Sequence, residues 1–111
     1  MKGRAGKGQI RMGFVKAADV ADVVPGSGFV VEVGGREYAL FNVDGEFFCI
    51  DNECPHAGGP LGEGAVDKGT VMCPWHCWCF DIRTGDGLYG LGIGVGTYAC
   101  SVDDGAVLIE V

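Results

Sequence analysis

Two short motifs constrain this chain more than any other feature: C-P-H at 54–56 and, after sixteen intervening residues, C-P-W-H at 73–76. Each motif supplies one cysteine and one histidine, and together they contain both histidines of the chain. Thiolate and imidazole are ligands for soft and borderline metals. The two matched half-sites therefore predict a metal centre, and the fold must bring two separate loops together to build it.

Two kinds of metal centre fit this donor set. A tetrahedral zinc site could use two cysteines and two histidines, although zinc modules usually collect the cysteines in one half-site and the histidines in the other. If the two loops face each other, Cys54 and Cys73 could instead bind one iron of a [2Fe–2S] cluster. His56 and His76 would then bind the second iron. The even division of ligand types favours the cluster, and zinc stays open as the alternative.

The longer stretches around the motifs carry a family resemblance. The segment C-P-H-A-G-G-P-L-G-E-G at 54–64, followed by C-P-W-H-C-W-C-F-D-I-R-T-G at 73–85, resembles the two cluster-binding loops of Rieske ferredoxins. The resemblance implies a Rieske [2Fe–2S] cluster and assigns its ligands. It implies that Cys54 and Cys73 bind the buried iron and that His56 and His76 bind the outer, solvent-facing iron.

Short runs of β-branched and aromatic residues predict an all-β fold. These runs lie at 29–33, 37–43, 46–50, 71–72, 78–82, 98–102 and 107–111. Gly34-Gly35, Asp44-Gly45 and Asp103-Asp104-Gly105 separate neighbouring runs, and such turn residues are strong hairpin signals. A helical turn is expected only around 17–23. We expect a small antiparallel sandwich or barrel of Rieske type with the two cluster loops at one end.

The distribution of charge predicts how the chain is organised. Residues 1–11 contain four basic residues and no acidic one, which predicts a flexible basic tail, and residues 12–111 are predicted to form a single domain. That remainder carries all fifteen acidic residues and four basic ones, a formal charge of −11. Such a surface suits solubility and steering toward a basic redox partner equally well, and it argues against nucleic acid.

The expected compartment is the cytoplasm, without a membrane partner. The chain has no apolar run of the ~20 residues that a membrane-spanning helix needs. Its basic start is not followed by the apolar segment of a secretory signal.

Four further cysteines are not needed for the cluster: Cys49, Cys77, Cys79 and Cys100. We expect them to be mostly buried thiols without a cluster role. Alternation along a strand would place Cys77 and Cys79 on one face, so a disulfide or a substitute ligand remains an alternative. The glycine-rich stretch at 89–96 is expected either to cover the cluster, as a third loop does in Rieske proteins, or to be a flexible connector.

The resemblance also suggests a low reduction potential. The quinol-oxidising branch of the family has a disulfide between the cluster loops at positions that align with Gly59 and Trp75, where it cannot form here. The same branch has serine and tyrosine hydroxyls near the cluster at positions that are Trp78 and Phe80 in this chain. Because hydrogen bonds stabilise the reduced cluster, we expect a potential toward the low end of the Rieske range, about −150 to +300 mV.

The resemblance implies electron transfer rather than catalysis. We expect a one-electron carrier between a flavin-dependent reductase and a terminal oxygenase. Both histidines are assigned to the cluster, which leaves none for a mononuclear iron site. The small subunit of an assimilatory nitrite reductase is the alternative function, because residues 58–64 resemble that group too. A zinc-binding interaction module is the alternative from another class.

Overall fold

The structure, a computed structural model, describes residues 13–55, 58–75, 77–88 and 92–111. In these residues the chain forms ten β-strands and two short 3-10 turns. The strands are β1 Phe14–Asp19, β2 Ser27–Val33, β3 Arg36–Val43, β4 Glu46–Asp51, β5 Ala65–Asp67, β6 Thr70–Met72, β7 Cys79–Asp81, β8 Thr97–Tyr98, β9 Cys100–Asp103 and β10 Ala106–Glu110. The 3-10 turns lie at Val20–Asp22 and Leu61–Glu63.

The strands form three antiparallel sheets. One has the order β1-β10-β9, the second β2-β3-β4-β8 and the third β5-β6-β7. A bulge between Lys16 and Ala18 interrupts the pairing of β1 with β10. The predicted all-β fold is confirmed.

Four two-residue turns connect consecutive strands. They are Gly34-Gly35, Asp44-Gly45, Lys68-Gly69 and Asp104-Gly105, and φ is positive at both residues of each. Turns with two positive φ angles match the right-handed twist of the flanking strands. Glycine and aspartate are common in these turns because they tolerate positive φ. Three of these turns follow from the sequence. Lysine gives no such signal, so the turn at 68–69 was not predicted.

Two segments differ from the expected strand pattern. The run at 98–102 is not one strand: Tyr98 pairs with Cys49 of β4, whereas β9 pairs with β10. The chain changes sheets at Ala99, which a local pattern cannot reveal. The helical turn expected at 17–23 is only the 3-10 turn Val20–Asp22, because residues 17–19 complete β1 through pairing with the distant β10.

Strand β3 separates two groups of core residues. Ala39, Phe41 and Val43 face the first group, and Tyr38 and Leu40 face the second. This alternation is the period of two that strand geometry imposes, here with both faces buried. The first group also contains the buried cysteines of both predicted half-sites. The cluster loops thus begin from the core rather than from the surface.

Several predicted features lie outside the described residues. They are the basic tail at 1–11, the two histidines His56 and His76, and the part of the glycine-rich stretch at 89–91. The division into a tail and a domain at 12–111 stays a prediction. Within the described residues, no helix has the length and apolar character needed to cross a bilayer.

Candidate metal centre

The two half-sites lie in loops that share one hydrogen-bonding frame. In the first loop, residues 54–59, the Gly58 N–H donates to the Cys54 carbonyl at 2.7 Å, and the Cys54 N–H donates to the Gly59 carbonyl at 2.9 Å. In the second loop, residues 73–78, the same two bonds recur. The Cys77 N–H donates to the Cys73 carbonyl at 3.1 Å, and the Cys73 N–H donates to the carbonyl at position 78 at 2.6 Å. Each loop thus has six residues and begins with a predicted ligand cysteine.

The fifth residue of each loop has a left-handed backbone. The φ angle is +77° at Gly58 and +60° at Cys77. A left-handed residue ends a helical turn and reverses the chain, so both loops close in the same way. The two loops differ in the position of the histidine, which is third in the first loop and fourth in the second.

The two predicted cysteine ligands are buried at the base of these loops. Cys54 is 1% exposed and Cys73 is fully buried, and both belong to the same core cluster as Phe80. Gly59 of the first loop lies directly against the second: an ideal Cβ built on it would be 2.7 Å from Cys73 Sγ. Two thiols in a dry, shared environment with two histidine positions in the same loops fit a [2Fe–2S] cluster of Rieske type.

Asn52 connects the root of the first loop to the segment that follows it. Its side-chain oxygen accepts a hydrogen bond from the Gly62 N–H at 2.8 Å, and its backbone carbonyl accepts one from Leu61 at 2.7 Å. Its amide group donates to Glu37 at 3.1 Å. Asn52 is buried, so these bonds satisfy groups that water does not reach. They fix the start of the loop relative to its end.

Asp51 connects the same root to more distant parts of the chain. Its carboxylate accepts hydrogen bonds from the Tyr98 hydroxyl at 2.6 Å, the Gly96 N–H at 2.7 Å and the Arg36 guanidinium at 2.7 Å. Burial, followed by the hydrogen bond to Asp51, raises the pKa of Tyr98 to about 12. The phenol therefore stays protonated and donates. Strand pairing and side chains together hold the first loop at this point.

The glycine-rich segment at 92–96 is hydrogen-bonded rather than a free connector. The Val95 N–H donates to the Gly85 carbonyl at 2.8 Å, and the carbonyl of Ile93 accepts from Gly87 at 2.8 Å. Ile93 and Val95 pack on the first core group. An ideal Cβ on Gly94 would be 2.9 Å from the Gly85 carbonyl oxygen, so the glycine permits close approach of two backbones.

This arrangement explains the alternation of glycine with apolar residues in the described part of the stretch. Ile93 and Val95 pack on the core, whereas Gly94 faces the backbone at Gly85 and Gly96 faces the side chains of Asp51 and Tyr98. The segment joins the residues after the second loop to Asp51 before the first loop. A cover over the cluster would involve residues 89–91, which lie outside the described residues.

The expectation that the four other cysteines are mostly buried is wrong. Cys49 is buried, but Cys77 is exposed, and Cys79 and Cys100 are half-buried. The second loop, not a strand, holds Cys77, so the alternation argument that placed it beside Cys79 fails. No disulfide joins any of the six cysteines, all of which lie within the described residues. Burial raises the pKa of Cys49 strongly and that of Cys100 to about 12, which keeps both protonated.

Two positions beyond the histidine of the second loop, Trp78 and Phe80, carry no hydroxyl group. Phe80 is fully buried in the first core group, which leaves no hydroxyl at this position. Trp78 packs partly buried against the same group. The low reduction potential remains a prediction.

Comparison with known proteins identifies the family of this chain and several of its relatives. The family model "Rieske [2Fe-2S] domain" matches residues 13–90. Apoptosis-inducing factor 3 of Mus musculus is 43% identical over 67 residues, which are 60% of this chain but only 11% of that protein. The ferredoxin component of the naphthalene 1,2-dioxygenase system of Pseudomonas putida is 30% identical over 98 residues, 87% of this chain and 94% of that one.

Solved structures give the same fold. The Sphingomonas yanoikuyae B1 ferredoxin superposes with a TM-score of 0.81 at 34% identity, covering 88% of this chain and 98% of that one. The ferredoxin in a complex of reduced oxygenase and oxidized ferredoxin of carbazole 1,9a-dioxygenase gives 0.77 at 26% identity, covering 86% and 91%. A structure described as a putative NADH-dependent nitrite reductase small subunit from Mycobacterium tuberculosis gives 0.81 at 24% identity, covering 93% and 97%, which shows the fold alone.

Proposed function

Because this chain belongs to the Rieske [2Fe–2S] family, we propose that it is a one-electron carrier that accepts electrons from a flavin-dependent reductase and passes them to a terminal oxygenase. The support is the group of relatives that match most of their own length, which are ferredoxin components of dioxygenase systems. A solved complex pairs one similar ferredoxin with its oxygenase. The cluster of the family supplies the chemistry: it accepts and releases one electron at a time.

The proposed ligands are Cys54, His56, Cys73 and His76. The observation that carries this assignment is the shared frame of the two loops, each of which begins with a cysteine buried in the same core group. Both histidines of the chain fall within these two six-residue loops. Buried thiols would bind as thiolates, and the surrounding apolar core would keep water from them.

We propose no catalytic step on this chain. Its role is to hold the cluster, to exclude water from one side of it and to present the other side to a partner. A groove of about 440 Å³ lies beside the first loop, lined by residues 35–37 and 51–53 together with Pro55. Three carboxylates and one guanidinium line it, and the chain carries a formal charge of −7. This surface suits partners with basic docking faces.

The proposed compartment is the cytoplasm. The six cysteines, all within the described residues, form no disulfide with one another, which suits a reducing environment. The bacterial dioxygenase ferredoxin components among the relatives fit the same assignment.

The small subunit of an assimilatory nitrite reductase stays the second candidate function. Residues 58–64 carry this resemblance, and the fold is common to both groups. Reconstitution with purified partners distinguishes the two functions. Electron transfer from the reduced protein to a Rieske-type oxygenase supports the first function, and support of nitrite reduction by a large subunit favours the second.

The decisive test is a redox titration of anaerobically purified protein, followed by electron paramagnetic resonance. We expect two irons per chain, a reduced-state signal typical of a histidine-ligated [2Fe–2S] cluster, and a midpoint toward the low end of about −150 to +300 mV. A reductase with NADH should then reduce the protein, and the reduced protein should support turnover of an oxygenase. Stoichiometric zinc without a paramagnetic signal would replace the carrier with a structural zinc module.

A further inference from the structure

The two loops touch through an aromatic side chain of one and two glycines of the other. An ideal Cβ on Gly59 would lie 3.1 Å from Cγ and 3.2 Å from Cδ2 of Trp75. An ideal Cβ on Gly58 would lie 3.9 Å from Cζ3 of the same ring. The indole of the second loop therefore spans both glycines of the first. A side chain at position 59 would occupy space that the indole already fills.

Gly59 also contacts both proposed cysteine ligands. The 2.7 Å separation of its ideal Cβ from Cys73 Sγ places its backbone against that thiol, and its carbonyl accepts the hydrogen bond from the Cys54 N–H. Gly59 therefore connects Trp75 to the backbone of Cys54 and to the sulfur of Cys73. Neither position 59 nor position 75 carries a cysteine, so this link between the loops is non-covalent.

From this geometry we propose that Trp75 and Gly58–Gly59 form an inter-loop clasp that holds the two halves of the cluster site together and slows loss of the cluster. Trp75 is a positioning residue, because it acts through the backbone of the first loop. The inference rests on the assignment of Cys54 and Cys73 as ligands in the proposed function. An aromatic ring packed on glycine backbone excludes water on one face, and such contacts stabilise through buried area and dispersion.

The exposure of Trp75 makes the clasp testable without disturbing the core. Trp75 is 59% exposed, so truncation of its side chain removes the contact with the glycines but leaves no cavity inside the protein. Phe14 of β1 is a matched control because it is 46% exposed. Its sheet, β1-β10-β9, contains none of the strands that flank the first or the second loop. Three variants follow: Trp75→Ala, Trp75→Phe and Phe14→Ala.

The measurement is the rate at which oxidised, cluster-loaded protein loses its visible absorbance in excess EDTA. We expect Trp75→Ala to lose the cluster about tenfold faster than the parent protein, equivalent to about 1.4 kcal/mol. Trp75→Phe keeps a flat ring over the glycines and should stay within about threefold of the parent protein. Phe14→Ala should not change the rate. Any Trp75→Ala protein that retains cluster should give the parent's paramagnetic spectrum, because the ligands are unchanged.

A double-variant cycle with Gly59→Ala identifies the contact itself. The added methyl group collides with both the indole and Cys73 Sγ, and removal of the indole relieves one of the two collisions. The combined effect of Gly59→Ala and Trp75→Ala should therefore be smaller than the product of the single effects. If Trp75→Ala cannot be loaded, the same cycle is measured with Trp75→Phe, whose smaller ring relieves the collision in part.

The inference is overturned if Trp75→Ala loses its cluster as slowly as the parent protein. It is also overturned if the effects of positions 59 and 75 multiply independently, or if Trp75→Phe is as unstable as Trp75→Ala. Failure of the proposed function looks different, because the parent protein would then bind no [2Fe–2S] cluster at all.

Discussion

The first and second loops form the same backbone conformation with different residues. Both have six residues, the same pair of backbone hydrogen bonds and a left-handed fifth residue. The first loop uses Gly58 at the left-handed position, where a residue without Cβ is favoured. The second uses Cys77, which has to accept a φ of +60°. Hydrogen bonding thus determines the frame of each loop. The residue at the fifth position determines only the conformational free energy that the left-handed backbone costs.

The loops differ in how the rest of the protein holds them. Asp51 and Asn52 anchor the root of the first loop through side-chain hydrogen bonds to three separate segments of the chain, at residues 36–37, 62 and 96–98. The second loop runs directly from β6 into β7 and contributes the indole of Trp75 to the contact between the loops. The first loop is held by polar side chains at its root, and the second by strands at both ends.

The largest effect should come from the first residue of each loop. We expect Cys54→Ser and Cys73→Ser each to reduce the iron content below about a tenth of the parent value, because a serine oxygen is a poor substitute for thiolate in an iron–sulfur site. Cys79→Ser is the matched control and should keep two irons per chain. Iron and sulfide analysis of the purified proteins checks this. Retention of a full cluster in either loop variant would contradict the assignment and the equivalence of the loops.

The anchor of the first loop is expected to have the next largest effect. Asp51→Asn leaves one oxygen for three donors and places an amide N–H₂ where acceptors are needed. We expect it to lower the free energy of unfolding by about 2 kcal/mol. Urea unfolding measures the change. Asp103→Asn, an exposed acid at the end of β9, is the control for the lost charge. An equal effect of the two substitutions would mean that the anchor adds nothing.

Substitution at the fifth position should have opposite signs in the two loops. Gly58→Ala adds a Cβ where φ is +77°, and we expect a loss of about 1 kcal/mol in the free energy of unfolding. Because the ideal Cβ has its nearest neighbour at 3.7 Å, the cost comes from the backbone rather than from a collision. Thermal unfolding of the loaded protein gives the shift. A neutral Gly58→Ala would show that the first loop tolerates the left-handed residue as the second does.

Cys77→Gly should do the reverse and stabilise the protein by about 0.5 kcal/mol, since glycine adopts φ of +60° without the Cβ penalty but loses more entropy on folding. Cys77→Ala keeps the Cβ and removes the sulfur, which separates the backbone effect from the thiol. The same thermal unfolding experiment compares the two. If alanine stabilises as much as glycine, the thiol rather than the backbone is responsible.

The smallest effect concerns the pH dependence of the anchor. The pKa of Tyr98 rises from 10 to about 12 in the folded protein. Its contribution is therefore fully present below pH 10 and is lost as the pH rises through about 12. Asp51, Arg36 and Tyr38 face this phenol. We expect the parent protein to lose more stability than Tyr98→Phe between pH 9 and pH 11 in urea unfolding. Parallel losses would show that the phenol does not titrate differently on folding.

The sequence predicts those parts of the site that depend on local chemistry. The two half-sites, the family and three of the four tight turns follow from residue type and spacing. The turn at Lys68-Gly69 lacks a local signal. The exposure of Cys77 was not predicted because Cys77 lies in the second loop, where the alternation of a strand does not apply. The split at Ala99 also lies beyond a local pattern, because two different sheets supply the pairing partners of its neighbours.

The sequence by itself determined the family, and through that resemblance the [2Fe–2S] cluster, and it supplied the four candidate ligands, because the two cysteine–histidine half-sites are a local pattern of residue types. Only the tertiary structure decided that both loops have one frame, that Asp51 joins Gly96 across 45 residues, and that Trp75 rests on Gly59. The hydrogen bonds of the frame span only four or five residues within each loop. The Asp51 and Trp75 contacts join residues that are farther apart in the chain. They form only when packing of the whole core brings the segments together, and no local pattern encodes that.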